Sequence, residues 1–237
     1  MSWVAGVDGY KDGWFVVLRE TSEGVLRPRA AGTFSAVLEL EEAPDVVCID
    51  VPIGLLDGAV PGGRDCDRAV RALLGGLRGR SVFSPPARMT LKAVRYEEAV
   101  RLNRASSSHA IGISRQCWGI LAKIGEVDAF ISPRHQTRVM EAHPEASFYE
   151  LNGGRPVEDR KRSRVGHEYR VALLERSWGV ALGEMIEANR NERVARDDIV
   201  DAMAACWTAE RVFRGEAIRV PAQPPIDGRG LRMEIVR

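Results

Sequence analysis

The sequence predicts an α/β domain built on a mixed sheet, and three observations carry that expectation. Three strand-like runs, a helix-like run and a fourth strand-like run fill the first 54 residues. Helical spacing alternates with short strand-like runs through the rest, and a long C-terminal helix follows. An order of three strands, helix, strand, then mixed helices and strands argues one sheet with helices packed on it.

WVAGVD (3–8) is a short apolar run that ends at an acid. GWFVVLRE (13–20) and VLRPRAAGTF (25–34) are rich in strand formers and separated by polar turns, so the three runs read as consecutive antiparallel strands. SAVLELEEA (35–43) reads as a helix capped by Ser35. DVVCIDVPIG (45–54) reads as a buried strand that stops at Pro52. Residues 54–92 are dense in Gly, Pro and Arg and read as loop, with helical spacing in DRAVRALL (67–74). Further helices are expected at 95–106 and 114–131. TRVMEAHPEASFYELNGG (137–154) reads as strand, turn and short helix. Helices follow near 163–178, 180–190 and 197–214, and AIRVP (217–221) and LRMEIV (231–236) read as closing strands. No repeat, low-complexity tract or clean linker divides the chain, so residues 1–237 read as one domain.

Composition narrows the function classes. The 237 residues are 45% hydrophobic and 28% charged, enough to bury a core without staples. The formal net charge of +1 sets up no global basic field for nucleic acid, although local patches remain. Cys48, Cys66, Cys117 and Cys206 are scattered, without a C-x-x-C pair or close histidine, which argues against a zinc site or a disulfide framework. Reduced thiols and a cytoplasmic location are expected. MSWVAGVDGYKDGW has no signal-peptide pattern, and no apolar run approaches the about 20 residues of a membrane helix.

The acids are the chemical signal. Asp8 in GVDG, Asp50 in CIDVP and Glu141 in VMEAHPE lie at or near strand ends. Strands of one α/β sheet deliver such residues to a common crevice. An acid in an apolar strand is costly unless it is paired or binds a metal. Asp198 and Asp201 are three apart and share a helix face. If that helix packs beside the sheet, four or five carboxylates converge and repel one another. Hard divalent cations such as Mg²⁺ or Mn²⁺ relieve that repulsion through oxygen ligands. Two such ions, roughly 4 Å apart, can align a water and stabilise the leaving oxygen in phosphodiester cleavage. Structural readings stand beside this one. Asp197 is suited to a helix cap, Asp8 before Gly9 to a turn, and Asp50 to a strand end. The conjunction of acids, rather than any one of them, points to a site.

Lys11, Arg64, Arg115 and Lys161 are candidate phosphate contacts, with a solvated basic face as the alternative. In GISRQ, Gln116 is a candidate substrate contact and Ser114 a helix cap. His143, two residues from Glu141 and followed by Pro144, could serve as an acid or base or bond a neighbouring backbone group.

GVDGYKDGW, CIDVPIGL, RDCDRAVR, SVFSPP, GISRQCWGILAKIGEVD, EAHPEASFYELNGG and DDIVDAMAACWTA follow one another along the chain. In this order they resemble a family of predicted RNase H-like nucleases catalogued as Domain of Unknown Function 429. The resemblance runs from about residue 4 to about residue 214. It implies an RNase H-like mixed five-stranded sheet, three strands antiparallel and two parallel, flanked by helices. It also implies acids on the first strand, at the end of the fourth and on the C-terminal helix, matched here by Asp8, Asp50, Asp198 and Asp201. Ala202 after Asp201 is similar to the pattern of RuvC-type junction resolvases. Glu141 lies outside the minimal pattern, as does the helical and loop insertion at about 54–136, which is open as a lid, a substrate-binding element or a homodimer interface.

The implied chemistry is Mg²⁺- or Mn²⁺-dependent phosphodiester hydrolysis of DNA or RNA. Asp8 would bridge two ions, Asp50 and Asp198 or Asp201 would complete one each, and Glu141 would position or deprotonate water. Two other functions compete. An ATP-handling protein of the actin-like or sugar-kinase class shares the core and the Gly-x-Asp-Gly context, but normally needs two such domains. A non-enzymatic binding protein would keep the acids as structural groups.

Overall fold

The computed structural model describes residues 1–76 and 78–237; Leu77, within the RALLGGLRGR run, lies outside the described residues. In chain order the elements are β1 (Trp3–Tyr10), β2 (Gly13–Glu20), β3 (Leu26–Ala31), α1 (Phe34–Leu38) and β4 (Val46–Ile49). Then come α2 (Asp65–Leu74), α3 (Tyr96–Ala105), α4 (Arg115–Gly119), α5 (Leu121–Phe130) and β5 (Val139–Glu141). The chain ends with α6 (Pro144–Leu151), α7 (Arg164–Trp178), α8 (Gly183–Asn189), α9 (Arg196–Phe213), β6 (Arg219–Val220) and β7 (Ile235–Val236). Short 3-10 turns interrupt the stretch between α2 and β5.

The mixed sheet expected from the sequence is present, in the order β3-β2-β1-β4-β5. β1 and β3 flank β2 in antiparallel pairing, while β1–β4 and β4–β5 run parallel. The chain divides into two compact units. One comprises Met1–Asp50, Arg138–Ile218 and Val236–Arg237; the other comprises Val51–Thr137 and Arg219–Ile235.

The first unit holds the sheet and α9. Strand alternation directs Val4, Cys48 and Met140 to the face that α9 covers, where they join Ile199, Met203 and Trp207 in one apolar core. Full burial of Ile199 and Met203 contributes roughly 1.5–3 kcal/mol each. Gly6 allows the helix to come this close. A Cβ there would stand 1.9 Å from Cys206 N and 2.1 Å from Ala202 O, so only glycine fits beneath the helix backbone. Ala202, Ala204 and Ala205 complete the small-residue surface of α9.

The second unit is loop-rich, and polar pairs organise it. Arg64 is 2% exposed and its guanidinium donates to Asp67 Oδ1 at 2.7 Å and to the carbonyls of Ile53 at 2.9 Å and Gly54 at 3.1 Å. Asn103 accepts the Ala87 N–H at 2.8 Å and donates to Ile111 O at 2.8 Å. The Gln136 amide exchanges hydrogen bonds with the Arg232 backbone at 2.9 and 2.8 Å, tying the 219–235 segment to the rest of the unit.

Several boundaries differ from the sequence reading. α1 starts at Phe34, not at 36, and its cap is Thr33, whose hydroxyl accepts the Ala36 N–H at 3.3 Å. Phe34 is fully buried, which pulls the helix start forward, and Ser35 instead pairs with the Thr33 hydroxyl at 3.0 Å. The run 114–131 breaks at Ile120 into α4 and α5. Ser114 is the cap expected of it, accepting the Cys117 N–H at 3.0 Å. The closing strands shorten to two residues each. All four cysteines are buried free thiols. Among the described residues, no helix is long and apolar enough to cross a membrane.

Candidate functional site

Asp8 lies two residues beyond Gly6 on the face of β1 that α9 covers, opposite Phe15 of β2. β1 and β4 run parallel with Gly6 beside Cys48, so the residues that follow, Asp8 and Asp50, emerge at the same end of the sheet. Asp198 and Asp201 sit on the first turns of α9. Gly6 is therefore also a site residue at one remove, since it seats the helix that carries two of the acids.

The electrostatics bind these four groups together. Burial and the fields of Asp50, Asp201 and Asp198 hold the Asp8 carboxyl well above the ordinary aspartate range. Burial, then Asp201, pushes Asp50 up to about 7. Burial is also the main cause that raises Asp198 and Asp201. Asp201 is 3% exposed, whereas Asp8, Asp50 and Asp198 are each only partly buried.

One cation serves all four. Lys161 Nζ donates to Asp201 Oδ2 at 2.5 Å. Burial would lower its pKa, but Asp201, Asp50 and Asp8 together outweigh that and hold the ammonium above its ordinary value. Asp197 has its own partner, Arg162, at 3.1 Å. Capping also departs from expectation: Asp198, rather than Asp197, takes the Ala195 N–H at 3.0 Å, because it stands three residues into the turn and can reach back.

The EAHPE segment divides its acids. Met140 and Ala142 belong to the core beneath α9, so alternation turns Glu141 to the other face of the sheet. The strand ends at Glu141, and His143 becomes the cap of α6, its Nδ1 accepting the Glu145 N–H at 3.2 Å. Glu145 is the EAHPE acid whose field reaches Asp50 and Asp201. It is 6% exposed and held by both carboxylate oxygens, each 2.8 Å from Arg170 Nη2. Arg170, 1% exposed, was not singled out in the sequence. An arginine in mid-helix four residues after a glycine carries no signal of its own.

Of the other candidates, Lys11 belongs to the first unit and Arg64, Arg115 and Gln116 to the second. Lys11 is exposed in the β1–β2 turn. Arg115 and Gln116 are exposed on α4, with the Arg115 guanidinium 3.7 Å from the centre of the Tyr96 ring. Arg64 does not suit a phosphate contact, because Asp67 and two backbone carbonyls occupy its buried guanidinium. A cavity of about 220 Å³ opens on the Asp8 side of the sheet, lined by Tyr10, Phe15, Arg29, Asn189, Asn191 and Arg193 among others. None of these six was expected from sequence.

By chemistry the donor set suits a hard divalent cation: four carboxylates, three of them only partly buried, with the Lys161 ammonium. As the side chains stand, no three His, Cys, Asp or Glu groups among the described residues are arranged to hold a metal ion. Each of three aspartates has a protein donor: Asp8 Oδ1 accepts the Gly9 N–H at 2.8 Å, Asp198 accepts the Ala195 N–H at 3.0 Å, and Asp201 accepts from Lys161.

Comparison with known proteins places the chain in a family. Residues 6–226 match the family model described as "Protein of unknown function (DUF429)", and the chain belongs to that family. No curated protein and no solved structure matches it.

Proposed function

We propose that this protein is a metal-dependent phosphodiesterase acting on nucleic acid, built on an RNase H-like sheet. The observation that supports this most is the meeting of Asp8, Asp50, Asp198 and Asp201 around one ammonium at the end of β1 and β4. An acid group this poorly compensated is expensive to maintain for the sake of the fold alone. The four aspartates would hold Mg²⁺ or Mn²⁺. When bound, the ion supplies charge neutralisation at the phosphate and a water of lowered pKa.

The chain's own residues do the rest. Asp8 sits centrally, within the fields of Asp50, Asp198 and Asp201. The Glu145–Arg170 pair is a scaffold pair at the start of α6, and Glu145 reaches Asp50 and Asp201 through its field alone. His143 is occupied as the cap of α6, its Nδ1 accepting the Glu145 N–H at 3.2 Å. Arg29 and Arg193, which line the cavity, are held by Glu42 at 2.5 Å and Asp12 at 3.3 Å and are not assigned to substrate. Four free thiols fit a reducing compartment, and the cytoplasm is the proposed location.

The test is hydrolysis of a mixed panel with Mg²⁺ or Mn²⁺, using Asp8→Asn as the control. The panel holds single- and double-stranded DNA, RNA, an RNA–DNA hybrid, a four-way junction and ATP. Cleavage of a nucleic acid that the control lacks is the expected result, and it names the substrate. ATP turnover alone, or hydrolysis unchanged in the control, would overturn the proposal.

A further inference from the structure

We propose that Lys161 is the built-in counter-cation of the aspartate cluster: its ammonium holds the position a divalent cation takes, and the two exclude one another. The inference rests on the metal-dependent reading above and deepens it by naming what the ion must displace.

Three observations carry it. First, the contact is direct and short, 2.5 Å from Lys161 Nζ to Asp201 Oδ2, and Asp201 is the most buried of the four aspartates. Second, the side chain enters from outside. The Lys161 side chain remains 41% exposed while its partner's is 4% exposed, so the charged tip reaches inward along a stem that stays accessible. Third, the backbone that presents it is anchored independently of the contact. Arg170 donates to Asp159 O at 3.0 Å, and the Ser163 hydroxyl accepts the Gly166 N–H at 3.1 Å. Gly166 lies so close beneath this segment that a Cβ would stand 2.2 Å from Arg160 O. Arg162 beside it clips to Asp197 at 3.1 Å. The segment is thus pinned to α7 and α9 on both sides of Lys161, and the lysine can leave Asp201 by rotating its own four-carbon stem.

Charge makes the exchange favourable. A single ammonium cannot neutralise four carboxylates, and it accepts no lone pairs beyond those its three donors reach. A hard divalent ion brings twice the charge and several oxygen positions. Lys161 therefore stabilises the ion-free protein and weakens apparent metal affinity, as any competitor for one site must.

The test compares wild type with Lys161→Met, of similar length without the charge, and Lys161→Gln, which keeps a donor toward Asp201. Mn²⁺ binding is measured by titration calorimetry, and melting temperature is measured in chelator and in saturating Mn²⁺. The methionine variant is expected to bind Mn²⁺ about tenfold more tightly, within the usual range of coupling between competing groups. It is also expected to melt lower in chelator and to gain more from the metal, with the glutamine variant in between. Tighter binding supports the inference even if no nucleic acid on the panel is cut, a result that sinks the nuclease reading alone. Equal or weaker Mn²⁺ binding by folded variants overturns the exclusion while leaving the metal site standing. Failure of wild type and both variants to bind Mn²⁺ overturns the inference and the metal site together.

Discussion

In the second unit each deeply placed aspartate has an arginine. Asp67 meets Arg64 at 2.7 Å, Asp128 meets Arg88 at 3.1 Å and Arg229 at 3.0 Å, and Asp227 meets Arg88. Asp227 also accepts the N–H groups of Leu55, Arg229 and Leu231. In the first unit Asp8, Asp50, Asp198 and Asp201 share Lys161. The consequences run in opposite directions. Burial alone would raise Asp227, but Arg88 and the backbone donors bring it below its ordinary value. Burial and neighbouring acids push Asp50 up to about 7. Paired acids are parts of the scaffold; a deficit of cations marks the place where a ligand charge belongs.

The largest effect expected from breaking this contrast is at Asp8. Asp8→Asn should lower metal-dependent hydrolysis by about 100-fold or more, measured as single-turnover rate on the substrate the panel identifies. It should also raise the melting temperature in chelator, because it removes one of four mutually repelling charges. A fall in melting temperature would instead mark Asp8 as structural.

Arg64→Met asks the converse question of the second unit. It leaves Asp67 buried without its cation and should cost about 3–5 kcal/mol there. Hydrogen exchange is the suitable readout, since loss of protection should concentrate at 51–74. Unchanged protection in that segment would show that the pair does not hold the unit.

The smallest effect is on pH dependence, and its sign differs between the units. Asp50 has a folded pKa of about 7 against an ordinary 3.8. Between those values the folded protein binds more protons than the unfolded chain, so this group makes the first unit lose stability as pH rises from about 4 to about 7. Asp227 has a lowered folded pKa, so its contribution is present above 3.8 and is lost as pH falls through that lowered value. Hydrogen exchange in chelator across this range should show protection in the first unit falling with rising pH. Saturating Mg²⁺ should flatten that fall. A first unit whose protection rises steadily with pH in chelator would contradict the under-compensated cluster.

Much of the first unit is legible in the sequence because its elements are apolar runs with clear periodicity. Val4 to Val7, Phe15 to Leu18 and Val46 to Ile49 read as strands of a buried sheet, and each lies in one. The three-residue spacing puts Asp198 and Asp201 on one helix face, and the fields of both reach Asp8. Glu141 and Glu145 were less legible. Which of them shares the field of the aspartates depends on where β5 ends and α6 begins, and an error of one residue changes the face. The second unit was hardly legible at all. Its order comes from long-range polar pairs such as Arg88–Asp227 and Gln136–Arg232, which leave no period in the sequence. Lys161 could be named as a basic residue, but its partner 40 positions away could not.

The most direct test of the aspartate cluster as a metal site is an anomalous difference map from a crystal soaked in Mn²⁺. The expected result is a peak bonded to oxygens of Asp8, Asp50 and at least one of Asp198 and Asp201, with the Lys161 ammonium withdrawn from Asp201. An intact fold with Lys161 still on Asp201 and no peak at these carboxylates under saturating Mn²⁺ would contradict it.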